Sequence, residues 1–145
     1  LVAFLYVFIP PIQELAAESE GGQAGRIVLK IQNVQHQKGV IRCGLYEQKN
    51  WLDAEDAVEW VNAEYTSGAT AKCVFPGIEG GTYGIGVFHD ADADHDMDSN
   101  FLGIPSEAVC ASKDPEASMG PPEFDAAKFE HSAEGATEVA CTMRY

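Results

Sequence analysis

Arg26-Ile27-Val28-Leu29-Lys30-Ile31 reads as a β-strand with one buried face. Ile27, Leu29 and Ile31 alternate with Arg26, Val28 and Lys30. A period of two turns one face of a strand to a core and the other to water. The same period returns downstream. Ile41, Cys43 and Leu45 share one side of residues 40–46, and Tyr83, Ile85 and Val87 share one side of residues 82–89. Near the end, Val139, Cys141 and Met143 alternate with Glu138, Ala140 and Thr142. Lys38-Gly39 predicts a hairpin between residues 26–31 and 40–46; Ser67-Gly68 predicts a second between residues 59–65 and 69–75. A further strand at residues 127–131 precedes Glu134-Gly135. Residues 49–58, with Trp51, Leu52 and Val58 among acids, read as one helical turn or an irregular crossover. About seven short strands with Gly-rich turns predict an all-β, Greek-key β-sandwich without a helix of useful length. The exception is the irregular run of residues 90–125 after strand five. Loops beyond about 12–15 residues are uncommon in compact domains and are usually functional or disordered.

The turn Phe75-Pro76-Gly77-Ile78-Glu79-Gly80-Gly81-Thr82-Tyr83 resembles the one found across prealbumin-like and related Greek-key sandwiches, including immunoglobulin-like ones. The resemblance implies a glycine in a strained turn and a tyrosine whose hydroxyl anchors the corner. It implies no function, because such sandwiches host many.

The 145 residues suffice for one domain, assigned to residues 26–145. Acids number 23 against 9 Lys plus Arg, a formal net charge of -14. That balance excludes a nucleic-acid binder, which needs a basic face, and disfavours an anionic membrane surface. Residues 1–12, LVAFLYVFIPPI, form an apolar run broken by Pro10 and Pro11 and are too short to span a bilayer. With Leu15-Ala16-Ala17 before Glu18, residues 1–17 read as a secretory signal remnant. The alternative is an interchain strand docked on a neighbouring subunit. Residues 18–25, ending in Gly-Gly-Gln-Ala-Gly, read as a linker. A secreted, periplasmic or cell-surface location follows, with no membrane span in the mature chain. Cys43, Cys73, Cys110 and Cys141 contain no Cys-x-x-Cys pair. An even count in an exported chain predicts two disulfides, with three pairings open and buried free thiols as the alternative.

The strongest chemical feature is His89-Asp90-Ala91-Asp92-Ala93-Asp94-His95-Asp96-Met97-Asp98-Ser99-Asn100. Five aspartates at alternate positions would repel one another along a strand. A compact loop can wrap them around a hard cation, and Ca²⁺ takes 6–8 oxygen ligands. Set on an EF-hand loop, Asp90, Asp92 and Asp94 occupy positions 1, 3 and 5, Asp96 the carbonyl position and Asp98 position 9. His95 stands where that loop has Gly, and Phe101 where it has the bidentate Glu. The candidate metal ligands are Asp90, Asp92, Asp94, Asp96, Asp98 and Asn100. The alternatives are a solvated acidic loop and another divalent metal, including a transition metal using His89 and His95. His36 and His131 stand alone in the sequence.

Taken with Gly103-Ile104-Pro105, Glu107, Gly120-Pro121-Pro122, Phe124, Ala126, Phe129 and the end Met143-Arg144-Tyr145, the run from His89-Asp90 resembles a secreted bacterial family, domain of unknown function 2141. The resemblance spans roughly residues 26–145; it implies a small exported β-sandwich and no activity. His95, Ala108-Val109-Cys110-Ala111 and the four cysteines depart from the family pattern. The sequence therefore predicts a non-enzymatic exported module whose Ca²⁺-bound loop presents a surface to a protein or glycan at the cell surface. An assembly subunit is the second reading, using residues 1–12 or a bare face at Gly84 and Gly86 to build a homo-assembly. A metal-assisted hydrolase is the third, although no Gly-x-Ser-x-Gly elbow and no Tyr-Arg-Gly-Ser of the hydroxyisourate hydrolases is present. Trp51 and Trp60 read as packing residues, with an aromatic ligand platform as the alternative.

Overall fold

The structure, a computed structural model, describes residues 24–91, 107–116 and 120–145. Its strands are β1 (Arg26–Gln32), β2 (Val40–Tyr46), β3 (Glu59–Asn62), β4 (Glu64–Tyr65), β5 (Ala71–Phe75), β6 (Gly81–Asp90), β7 (Val109–Ala111), β8 (Phe129–His131) and β9 (Ala136–Thr142). A short helix, α1 (Phe124–Ala127), precedes β8. The strands form two packed sheets, one ordered β4-β5-β1-β9 and the other β3-β2-β6-β7, with β8 also paired to β6. The all-β sandwich is present, with nine strands among the described residues rather than seven. One addition is β7, inside the run read as irregular. The other comes from residues 59–65, which change sheets at Ala63, where the Ala63 N–H turns back to Ile41 O at 2.8 Å.

The first expected hairpin does not form. β1 pairs antiparallel with β5 and parallel with β9, whereas β2 pairs with β3 and β6. Residues 33–39 cross from one sheet to the other. A period-two pattern buries the same face either way, so alternation cannot distinguish a hairpin from a crossing. The second hairpin is confined to Glu64–Tyr65 against Ala71–Lys72, because β3 is claimed by β2. The stretch read as a helical turn or an irregular crossover, residues 49–58, instead carries two 3-10 turns, Gln48–Asn50, which starts one residue earlier, and Ala54–Asp56.

The core lies between the sheets. Ile27, Leu29 and Ile31 of β1 meet Ile41 and Leu45 of β2 and Ile85 of β6, all fully buried. Both disulfides cross this layer, Cys43–Cys73 from β2 to β5 and Cys110–Cys141 from β7 to β9. The turn before β6 is built as the resemblance implies. Gly77 has φ +65°, and the Tyr83 hydroxyl donates to Glu79 O four residues back at 2.8 Å. Ser112 fills the gap where β6 passes from β7 to β8. Its hydroxyl accepts from Ile85 N–H at 2.9 Å and donates to Ala127 O at 2.6 Å.

A second apolar layer covers the outer face of β2 and β6. Gly44 and Gly86 are cross-strand partners. A Cβ at Gly84 would come within 2.8 Å of Trp51, and one at Gly86 within 2.7 Å of Leu52. The face expected to be bare at Gly84 and Gly86 is therefore covered by the 3-10 connection. Trp51 packs edge-on against Tyr46 and Phe124, with centroids 5.6 and 5.5 Å apart. Its indole N–H donates to Pro122 O at 2.8 Å. Trp60 packs edge-on against Tyr46 and Phe88, under the Arg42 guanidinium. Both tryptophans are packing residues.

This layer has a pH signature. Tyr46 is 3% exposed. Burial, then the Asp53 carboxylate, pushes its phenol up to about 12, against the opposing Arg42 charge. A raised phenol keeps the folded state neutral while the unfolded chain ionises. The stabilisation is complete below pH 10 and is lost as pH rises toward 12, roughly 2–3 kcal/mol in all. Chemical denaturation of the parent between pH 9 and 12 should show that decline, and Tyr46→Phe should reduce it, leaving the part due to Tyr65 and Tyr83, whose phenols burial also raises. Equal declines in both would contradict the assignment.

Candidate cation site

The acidic run leaves the sandwich from the end of β6, where Ile41 pairs with His89 and Val40 with Asp90. His89 turns inward and is 1% exposed. Both ring nitrogens are engaged. Nε2–H donates to Lys38 O at 2.7 Å, which leaves Nδ1 to accept from the Tyr145 hydroxyl at 2.9 Å. The Tyr145 oxygen in turn accepts from Gln35 N–H at 3.1 Å. Burial holds the His89 imidazole below its ordinary pKa, with the Lys38 carbonyl acting in the opposite direction. The Lys38 carbonyl can only accept, which fixes a proton on Nε2, and the burial that lowers the pKa favours the neutral ring. The His36 ring lies 4.4 Å from His89.

Asp90 is 0% exposed. The crossing at Gly39, with φ +66°, passes over it so closely that a Cβ there would sit 2.0 Å from Asp90 O. On the opposite side the chain returns at Glu107. Its Oε2 accepts from Ala91 N–H at 2.7 Å, and His89 N–H donates to Ala108 O at 2.8 Å. β7 is then tied to the chain end by reciprocal bonds between Val109 and Arg144 of 3.3 and 3.0 Å. The two feet of residues 92–106 are thus held together, and each contributes a carboxylate.

Of the expected ligands the structure places Asp90. Asp92, Asp94, Asp96, Asp98 and Asn100 lie outside the described residues, as does His95. Among the described residues no three His, Cys, Asp or Glu side chains converge as a metal site. His36 and His131 are not isolated. His36 packs on His89, and buried His131 engages Thr137 Oγ1 at 2.7 Å and Ile78 O at 3.1 Å. Sequence reasoning does not foresee Glu107, Lys38 and Tyr145 around the feet. One signal is available: the His-Asp start and the Met-Arg-Tyr end belong to the same set of motifs, and they meet in the His89–Tyr145 hydrogen bond across 56 positions.

The family model described as an uncharacterized protein conserved in bacteria (DUF2141) matches residues 29–140. No curated protein and no solved structure matches the chain.

Proposed function

The chain belongs to the DUF2141 family, and within it we propose an exported, non-enzymatic β-sandwich module whose aspartate run binds Ca²⁺. Asp90, Asp92, Asp94 and Asp98 contribute side-chain oxygens, Asp96 a carbonyl or carboxylate oxygen, and Asn100 a further oxygen. The ion holds the run in one arrangement and so presents a surface to a protein or glycan partner. The observation that carries this reading is the pair of clamped feet, with fully buried Asp90 on one side and Glu107 on Ala91 N–H on the other. A carboxylate withdrawn from water attracts a cation more strongly than a solvated one. Fixed ends also reduce the ordering entropy that the ion must offset.

Two cross-sheet disulfides are compatible with an oxidising compartment. No helix among the described residues is long and apolar enough to cross a membrane. The non-enzymatic reading is supported by His89, the obvious base beside the acids, because both of its nitrogens are committed to structural partners.

Melting of the chelator-treated chain tests the proposal. An ion bound only by the folded form contributes about 2.7 kcal/mol at 100 times its dissociation constant. For a domain of this size that corresponds to roughly 10 °C in Tm. Calcium should raise the midpoint by about that much, and Mg²⁺ by less. Coincident melts in calcium, magnesium and chelator would contradict it.

A further inference from the structure

The two disulfides occupy different places in the sandwich. Cys43–Cys73 joins β2 and β5, each an interior strand of its sheet, and both residues are 0% exposed. Cys110–Cys141 joins β7 and β9, which stand last in the strand order of their sheets. Cys141 is 1% exposed, while Cys110 is half-buried on a strand of only three residues. β7 pairs with β6 through Gly86–Ala111, Val87–Cys110 and Phe88–Val109, and its other edge meets the chain end at the Val109–Arg144 bridge.

We propose that Cys110–Cys141 is a redox-exchangeable latch between the two sheet edges, and that Cys43–Cys73 is a permanent core bridge. Exchange requires a thiolate to reach one sulfur along the S–S axis. For Cys43–Cys73 that requires opening both sheets, an event close to global unfolding. For Cys110 it requires only fraying of a three-residue edge strand, a local opening of much lower free energy.

The reductant is a dithiol, either a small molecule or a protein of the thiol–disulfide exchange class. Its thiolate attacks Cys110 Sγ, the protein S–S bond breaks, and Cys141 leaves as a thiolate that takes a proton. The reagent's second thiolate then attacks its own sulfur in the mixed disulfide and releases Cys110 as the second thiol. Two electrons and two protons pass to the protein, and the reagent leaves as a disulfide. Opening removes the covalent tie of β7 to β9. Lys113 N–H on Ala140 O, the Asp114 carboxylate on Thr142 and the Val109–Arg144 bonds are left to hold that edge. β7 also follows directly on the Glu107 foot, so the latch controls how firmly that foot is anchored.

The test uses the full chain with both bridges formed, graded dithiothreitol, alkylation of freed thiols and peptide mass spectrometry. Cys110 and Cys141 should be labelled about 100-fold faster than Cys43 and Cys73. Labelling should occur while the far-ultraviolet dichroism of the sheets persists, and amide exchange should rise at residues 109–111. Earlier labelling of Cys43 and Cys73, or release of all four thiols together with the dichroism, would overturn the proposal. A Cys110→Ala/Cys141→Ala variant should stay folded and show the same rise in exchange. If it is unfolded at room temperature, the bridge is a staple and not a latch.

Discussion

Gly39→Ala should destabilise the fold by at least about 3 kcal/mol, well beyond the effect of an ordinary surface substitution. Two causes add. Gly39 has φ +66°, a left-handed conformation that costs an L-residue roughly 1–2 kcal/mol. The new Cβ would also lie 2.0 Å from Asp90 O and 2.7 Å from the Ala91 carbonyl carbon. Those are backbone atoms, so no side chain can swing aside. Either the crossing lifts off β6, or the end of β6 moves and carries Asp90 with it. Gly68→Ala is the control. Its φ is +71° and a Cβ there meets nothing within 4 Å, so it carries the conformational cost alone, about 1 kcal/mol. Urea denaturation of the two variants isolates the contact. Equal losses would show that the approach of Gly39 to Asp90 is not tight. Because the clash falls on the first foot of the acidic run, Gly39→Ala should also weaken calcium binding, and Gly68→Ala should not.

The second large effect is removal of the core bridge. Cys43 and Cys73 are 30 positions apart, and closing a loop of that size removes unfolded-chain entropy equivalent to roughly 3–4 kcal/mol. Both residues are fully buried, so their replacement also loses packing. Cys43→Ala/Cys73→Ala should therefore lower stability by about 4 kcal/mol or more, measured by calorimetry or urea denaturation. Cys110→Ala/Cys141→Ala opens a similar loop, its cysteines 31 positions apart, but at the sheet edges. Its loss should be smaller, because an edge strand retains conformational freedom even when bridged. A larger loss at the edge pair would reverse the assignment of roles.

What is legible in the sequence follows from what a local pattern can encode. Period-two alternation marks β1, β2, β6 and β9 correctly, because one face of each strand packs on the same core. The tyrosine corner is legible because its hydrogen bond, Tyr83 to Glu79, spans four residues. Pairing is not legible. The parallel contact of β1 with β9 joins positions more than a hundred residues apart, and no turn signal announces it. β7 escapes notice because three residues are too short to show a period.

The glycines at 84 and 86 do mark a close approach, as glycine within a strand suggests. The approaching groups, Trp51 and Leu52, come from a connection that reads as irregular because its order comes from what it covers. At the candidate site the aspartate spacing is a sequence property. The clamp around its feet is not, because Glu107, Tyr145 and the crossing that carries His36 and Lys38 come from separate parts of the chain. Cysteine pairing is likewise open until the topology places β2 over β5 and β7 beside β9.

The proposed calcium site runs from Asp90 to Asn100. Calorimetric titration of Ca²⁺ into the chelator-treated full chain reads its occupancy. Saturable binding with one ion per chain is expected, lost in Asp92→Asn/Asp94→Asn and retained in Glu138→Gln, a change on β9. No saturable heat from the parent chain, or the same binding in the Asp92→Asn/Asp94→Asn variant, would contradict it.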